Sequence, residues 1–163
     1  MPDDFLFPDM VKTNVMRLLE VAAIPFSTHE YDPELTDGVS VAAALNQDPF
    51  HVFKTLVTVG ASRAHYVFAI PVNATLHLKK AAKAVGEKSI EMLKQRDLLP
   101  LTGYIHGGCS PIGMKKAFPT VFDETAILFD TLVVSAGRRG FQVELAPQVL
   151  CDYVGGKFAD ITE

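Results

Sequence analysis

Apolar and polar positions recur along this chain with two periods, and the switches between them lay out the elements. Val11, Val15, Leu18, Leu19 and Ala22 fall at helical spacing with Lys12 and Arg17 off that face, which predicts a helix after Pro8-Asp9 with Asp9 as its N-cap. Ile24-Pro25 ends it, because the residue before proline is driven away from helical conformation. Phe26 to Tyr31 reads as a short strand, Asp32-Pro33-Glu34 as a turn, and Gly38 to Leu45 as a short helix stopped at Asn46-Gln47-Asp48-Pro49. Phe53 to Val59 and His65 to Ile70 are apolar runs separated by Gly60-Ala61-Ser62-Arg63-Ala64, the pattern of paired strands. Their lack of clean alternation predicts burial on both faces.

Leu78, Ala81, Ala82 and Val85 mark an amphipathic helix with Gly86 in the C′ position. A second helix is predicted from Ser89, as cap, to Gln95, with a break at Leu99-Pro100. Leu132 to Ala136 and Phe141 to Leu145 flank the hairpin turn Gly137-Arg138-Arg139-Gly140. In the second of these strands Phe141, Val143 and Leu145 alternate with Gln142 and Glu144, which predicts one wet face. Pro147 to Tyr153 is a short helix with proline in its first turn, and Phe158 to Ile161 a last strand. The sum is an α/β or mixed α+β chain, read as a single domain over 1–163. It is built on one mixed, twisted sheet of about six to seven strands with surrounding helices.

Composition narrows the classes. With 163 residues, 48% hydrophobic and 21% charged, the chain can build a core without disulfides or metal. A net charge of -4 with this apolar content excludes a disordered chain. No run reaches the about 18 to 20 apolar residues of a membrane helix. The acidic start, Met1-Pro2-Asp3-Asp4-Phe5, is unlike a signal peptide, so a cytoplasmic location with reduced thiols is expected for the two cysteines, Cys109 and Cys151. The acidic balance also argues against a broad nucleic-acid surface, leaving room only for a small basic site.

Candidate chemistry is sparse. Lys54 opens an apolar strand, where it is either a snorkelling end residue or a functional cation. Gly107-Gly108-Cys109-Ser110-Pro111 is either a tight loop or a cradle of backbone N–H groups for a carbonyl oxygen. It is neither a dinucleotide fingerprint nor a P-loop. Cys109, three residues from His106, is weak as a nucleophile and poor as a metal site, and His29, His51, His65, His77 and His106 are spread too widely for a triad or a metal. No metal and no cofactor are therefore expected. The basic residues form three groups, Lys79, Lys80 and Lys83; Lys115 and Lys116; and Arg138 and Arg139. They are solvated faces, or a phosphate-binding rim if the fold brings them together.

Taken in order, Phe53-Lys54-Thr55-Leu56, Leu78-Lys79-Lys80-Ala81-Ala82, Gly107-Gly108-Cys109-Ser110-Pro111-Ile112-Gly113, Val134-Ser135-Ala136-Gly137-Arg138-Arg139-Gly140 and Glu144-Leu145-Ala146-Pro147 resemble the YbaK/EbsC family. The resemblance runs from about Met10 to the C-terminus and is nearest the Cys-tRNA(Pro) deacylases. That family is similar to the editing domain inserted in bacterial prolyl-tRNA synthetases. The resemblance implies the prolyl-tRNA synthetase editing-domain fold and removal of cysteine from mischarged Cys-tRNA(Pro), with Cys-tRNA(Cys) as a further substrate. A second sieve of this kind is needed because one methylene discriminates by only about 1–3 kcal/mol.

It further implies that the substrate's own thiol attacks its carbonyl, with Lys54 as the functional lysine. The Gly107 to Pro111 loop would supply backbone donors, and Tyr31 and Ser135 would be pocket positions. The 3′ end of aminoacyl-tRNA would be the partner, and prolyl-tRNA synthetase a transient one; neither DNA nor membrane is expected. One departure stands out: Asp37 or Gly38 falls where close relatives place a pocket phenylalanine. The alternatives are a hydrolytic deacylase for another amino acid such as alanine, a non-catalytic module that binds a tRNA acceptor end or a synthetase, and a redox role for Cys109.

Overall fold

The computed structural model describes residues 11–163. Among these, eight strands divide between two sheets and five α-helices lie around them. In chain order the elements are α1 (Asn14–Val21), β1 (Ser27–Glu30), α2 (Gly38–Ala44), β2 (Phe53–Gly60), β3 (His65–Pro71), α3 (Leu78–Val85) and β4 (Ile90–Met92). Then come α4 (Gln95–Thr102), β5 (Thr120–Asp123), a 3₁₀ turn (Glu124–Leu128), β6 (Leu132–Ser135), β7 (Phe141–Leu145), α5 (Pro147–Tyr153) and β8 (Lys157–Ala159).

The larger sheet runs β4-β2-β3-β5-β8. β2 and β3 form the expected antiparallel pair, with Phe53 opposite Pro71 and Val59 opposite His65, and β5 and β8 add in parallel. β3 is central, and Phe68, Ala69 and Ile70 on successive faces are all fully buried, as an unalternating apolar run requires. The smaller sheet, β1-β7-β6, is antiparallel throughout. A parallel bridge between Val52 and Val133 joins the two sheets, so the expected mixed sheet is split along a seam.

Val15 and Leu19 of α1, Phe53, Phe122, Val134, Val143, Leu145 and Leu150 fill the space between the sheets. Phe68, Ile70, Val121 and Ile161 pack under Ala81 and Ala82 of α3, whose small side chains let that helix approach closely. Each fully buried Leu, Ile or Phe contributes roughly 1.5–3 kcal/mol. No helix among the described residues is long and apolar enough to cross a membrane.

Several local expectations are corrected. Asp9 lies outside the described residues; the cap of α1 is Thr13, whose side chain accepts from the Met16 N–H at 3.3 Å, and Val11 is exposed. The segment from Ser89 to Gln95 is not a helix. Ile90–Met92 pairs with Thr58–Gly60, because the open edge of β2 offers unpaired backbone groups and Ile90 finds a buried site there. The helix begins at Gln95 instead and contains Pro100 rather than stopping before it. Proline removes one intrahelical bond, but Thr102 Oγ1 donates to the Leu98 carbonyl at 2.7 Å and Gly103, at φ +86°, closes the end through the Leu99 carbonyl. β5 was not predicted: four residues between Pro119 and a 3₁₀ turn carry too short a pattern, and parallel pairing stabilises them. The wet face of β7 is also corrected. Gln142 is only 4% exposed, covered by Gln47, and Glu144 is half-buried between His29 and Thr131.

Candidate active site

A cavity of about 390 Å³ opens where the two sheets part. β2 contributes Lys54, Thr55 and Leu56 to one wall; Val134, Ser135 and Gln142 of β6 and β7 form the facing one. The turn into α2, with Thr36 and Asp37, and the loop residues His106, Gly107 and Cys109 lie across the mouth, beside Tyr31.

The cavity has opposite charges on its lining. Lys54 supplies the cation from a half-buried position in β2. Asp37 supplies the anion while capping α2: its carboxylate accepts from Ser40 Oγ at 2.9 Å and Ser40 N–H at 3.3 Å. The Ser40 hydroxyl bond is the largest of the effects that hold this carboxyl below its ordinary range, and the Lys54 charge adds a smaller one. Thr55 Oγ1 is buried with no hydrogen-bond partner among the described residues. Gln142, which also lines the cavity, accepts at Oε1 from Gln47 Nε2 at 2.9 Å.

The glycine loop has the conformation its composition requires. Gly107 sits at φ +87°, where a side chain is strained, and a Cβ on it would lie 3.1 Å from Arg139 Nε. At Gly108 a Cβ would meet the Arg139 backbone nitrogen at 3.2 Å, so this loop backs directly onto the β6–β7 turn. Arg139 Nε donates to the His106 carbonyl at 2.8 Å and ties the two loops together. The Gly108 N–H is used by the Ile105 carbonyl, whereas those of Gly107 and Cys109 find no acceptor among the described residues. Backbone N–H groups left without a protein acceptor on a glycine turn can receive a carbonyl oxygen or an oxyanion. Burial pushes the Cys109 thiol up to about 12, so at neutral pH it is protonated and no nucleophile.

Of the residues singled out from the sequence, Lys54, Tyr31, Gly107, Cys109 and Ser135 converge on the cavity. Gly108, Ser110 and Pro111 build the loop without lining it; Ser110 is fully buried, its Oγ accepting from the Ile112 N–H. Ser135 Oγ likewise accepts from the Gly137 N–H at 3.1 Å, which fixes its rotamer. Arg138 and Arg139 reach the outer side of the loop, and Lys115 lies across Gly103, with Lys116 next to it. Lys79, Lys80 and Lys83 stay on α3 away from the lining, and Lys80 Nζ is held by Asp160 and by the Thr162 carbonyl at 2.9 Å. Gln142 and Thr55 were missed. Gln142 looked like the wet half of an alternating strand, and only its neighbour Lys54 pointed to Thr55.

Such a cavity can orient a small polar acyl group, stabilise charge on its carbonyl oxygen and neutralise a nearby phosphate or ribose oxygen, without an ionised thiol on its wall. These are features of an enzyme that cleaves esters by positioning and electrostatics. The comparisons agree: the chain belongs to the aminoacyl-tRNA editing domain family, which matches residues 32–153, and its activity is deacylation of mischarged aminoacyl-tRNA. A relative from Enterococcus faecalis, EbsC, carries the assignment Cys-tRNA(Pro)/Cys-tRNA(Cys) deacylase and is 48% identical over 153 residues, 93% of each chain. One solved structure, assigned as a trans-editing enzyme for prolyl-tRNA synthetase, superposes with a TM-score of 0.81 at 22% identity over 94% of this chain and 99% of its own. Another, of a hypothetical protein, gives 0.84 at 20% identity over 91% of this chain and 99% of its own. These two likenesses establish the fold alone.

Proposed function

We propose that this chain, as one editing domain, removes cysteine from mischarged Cys-tRNA(Pro), with Cys-tRNA(Cys) as a further substrate, by thiol-assisted cyclisation. The observation that supports the mechanism is the burial of Cys109, the one cysteine on the cavity wall: held there as a thiol, it leaves the attack to the substrate's own thiol or to water, and an S-blocked substrate separates the two. The cysteinyl sulfur forms a bond to its own carbonyl carbon, and the ester bond to the terminal ribose breaks. The thiol proton ends on the released ribose oxygen, and a cyclic thiolactone leaves. Intramolecular geometry supplies most of the acceleration, as effective molarities of about 10⁵ M and above allow. The Gly107 and Cys109 N–H groups receive the carbonyl oxygen and Lys54 faces the ribose and phosphate side. Tyr31 and Ser135 border the acyl group, and Asp37 faces its ammonium.

The 48% identity to a deacylase of this assignment supports the choice of amino acid. The substrate end is single-stranded tRNA. Arg138, Arg139, Lys115 and Lys116 form the basic side of the mouth, Lys79, Lys80 and Lys83 a more distant one. Action in the cytoplasm and transient contact with prolyl-tRNA synthetase follow from that role. A panel of charged tRNAs tests the reading. Cys-tRNA(Pro) is cleared fast, Ala- and Ser-tRNA(Pro) slowly, and S-blocked cysteinyl-tRNA not at all. Equal clearance of alanine-charged tRNA, or cleavage of the S-blocked ester, makes the reaction hydrolytic; binding without turnover makes the chain a tRNA-binding module.

A further inference from the structure

A second cavity, of about 460 Å³, lies on the outer side of the glycine loop. It shares Tyr31 with the first, and the bond from Arg139 Nε to the His106 carbonyl stands between them. Its walls are of a different kind. The Arg138 guanidinium lies 5.7 Å from the centroid of the Phe141 ring. Phe141 is the cross-strand partner of Glu30, so ring and carboxylate are side by side on β7 and β1. The Tyr104 hydroxyl donates to the Ile112 carbonyl, which fixes that ring against the same cavity. Neither Arg138 nor Arg139 forms an ion pair with any described residue. On a chain of net charge -4, two arginines without an ion-pair partner among the described residues, Arg138 over the Phe141 ring and Arg139 beside it, are matched to an anion that carries a planar ring.

We propose that this cavity is a nucleotide subsite for the residue 5′ of the terminal adenosine, which in a tRNA is a cytidine. The inference rests on the aminoacyl-tRNA reading above. With the acyl group and its ribose beside Tyr31 in the first cavity, the strand leaves the site past that same residue, and the second cavity begins there. The base stacks on the Phe141–Arg138 surface, and the linking phosphate lies between Arg138 and the free guanidinium nitrogens of Arg139. Glu30 accepts from the cytosine amino group, as acidic side chains do with that base. The subsite reads a nucleotide present in every tRNA, so it adds affinity without choosing among tRNAs.

The test compares three cysteinyl esters: of adenosine, of the dinucleotide CpA, and of full-length tRNA. The dinucleotide ester is expected to exceed the adenosine ester in kcat/KM by about tenfold or more, through KM, which is the scale of one stacked base. Arg138→Ala is expected to cut that dinucleotide-to-adenosine ratio to near one, and Glu30→Gln to reduce the preference for CpA over UpA. A ratio near one in the parent protein, or a ratio that survives Arg138→Ala, overturns the subsite while the deacylase reading stands. If even the full-length cysteinyl-tRNA is not cleaved, both fall together.

Discussion

Arg139 Nε donates to the main-chain carbonyl of His106 at 2.8 Å, and this bond spans the gap between the β6–β7 turn and the glycine loop. It makes the position of the loop N–H groups depend on a hairpin more than thirty positions away in the chain. Arg139→Ala is expected to leave the melting temperature within about 2 °C of the parent, as exposed substitutions do. It should lower kcat for deacylation by roughly tenfold, because an error of about 1 Å in a reacting geometry is expensive. Steady-state kinetics on charged tRNA beside a thermal melt separate the two effects.

Gly108→Ala tests the same junction from the other side. The added methyl meets the Arg139 nitrogen at 3.2 Å and the Arg138 carbonyl carbon and Cα at 3.4 Å, all backbone atoms that cannot swing away. The expected outcome is a loop pushed off the hairpin, with activity reduced by about tenfold or more for a stability loss of roughly 1 kcal/mol. A variant as active as the parent shows that the loop is not held where the mechanism needs it.

Lys54→Ala is expected to reduce turnover by about 10²–10³, the scale of removing one electrostatic contact to a developing charge. Its strand pairs through the backbone with Ile70, which the substitution preserves, so the fold should persist by circular dichroism. Activity within a few-fold of the parent removes Lys54 from the site.

The half-buried Gln47 donates to the buried Gln142, and truncating one removes the other's partner. Gln142→Leu is expected to cost about 1–3 kcal/mol. Gln47→Leu should cost less when Gln142 is already leucine. A double-mutant cycle by urea unfolding should give a coupling of about 0.5–3 kcal/mol, and additive losses contradict the pairing.

Alkaline pH gives a signed prediction. Burial raises the Cys109 thiol from 9.0 to about 12 in the folded chain, and Tyr104 from 10.0 to about 12, also through burial first. A raised value means the unfolded chain releases its proton earlier. This stabilisation is therefore complete below about pH 9 and is lost as pH climbs toward 12. At the acid end Glu144 behaves oppositely. Burial pushes its carboxyl up, but the Thr131 hydroxyl and His29 outweigh that and hold it low, so its contribution is present above pH 4.5 and disappears as pH falls through its folded value. Denaturant melts from pH 3 to 11 should show both limbs, and Cys109→Ala should flatten the alkaline one.

The parts legible in the sequence are those where one period dominates. The β2–β3 pair, α3 with its glycine stop, the β6–β7 hairpin and α5 each carry their own pattern and caps. The misread segment, Ser89 to Gln95, is one where propensity and tertiary context disagree: its residues tolerate a helix, and the free edge of β2 takes Ile90 as a strand. The split into two sheets was invisible because the seam depends on a single bridge between Val52 and Val133. Lys54 and the glycine loop could be picked out by chemistry and resemblance. Gln142 could not, since what makes it buried is Gln47, brought over it only by the fold.

The pairing of β1 with β7 has a consequence for how the chain is made. His29 and Glu144, which bond across that pair, are 115 positions apart. As the protein emerges from the ribosome, the N-terminal strand has no partner until nearly all the rest has been synthesised. Such non-local pairing closes late. Tyr31, at the end of that strand, takes its place beside both cavities only when β7 arrives. A chain that stops before β7 therefore has β2, β3, β4 and β5 of the larger sheet but neither β8 nor the strand that seats Tyr31.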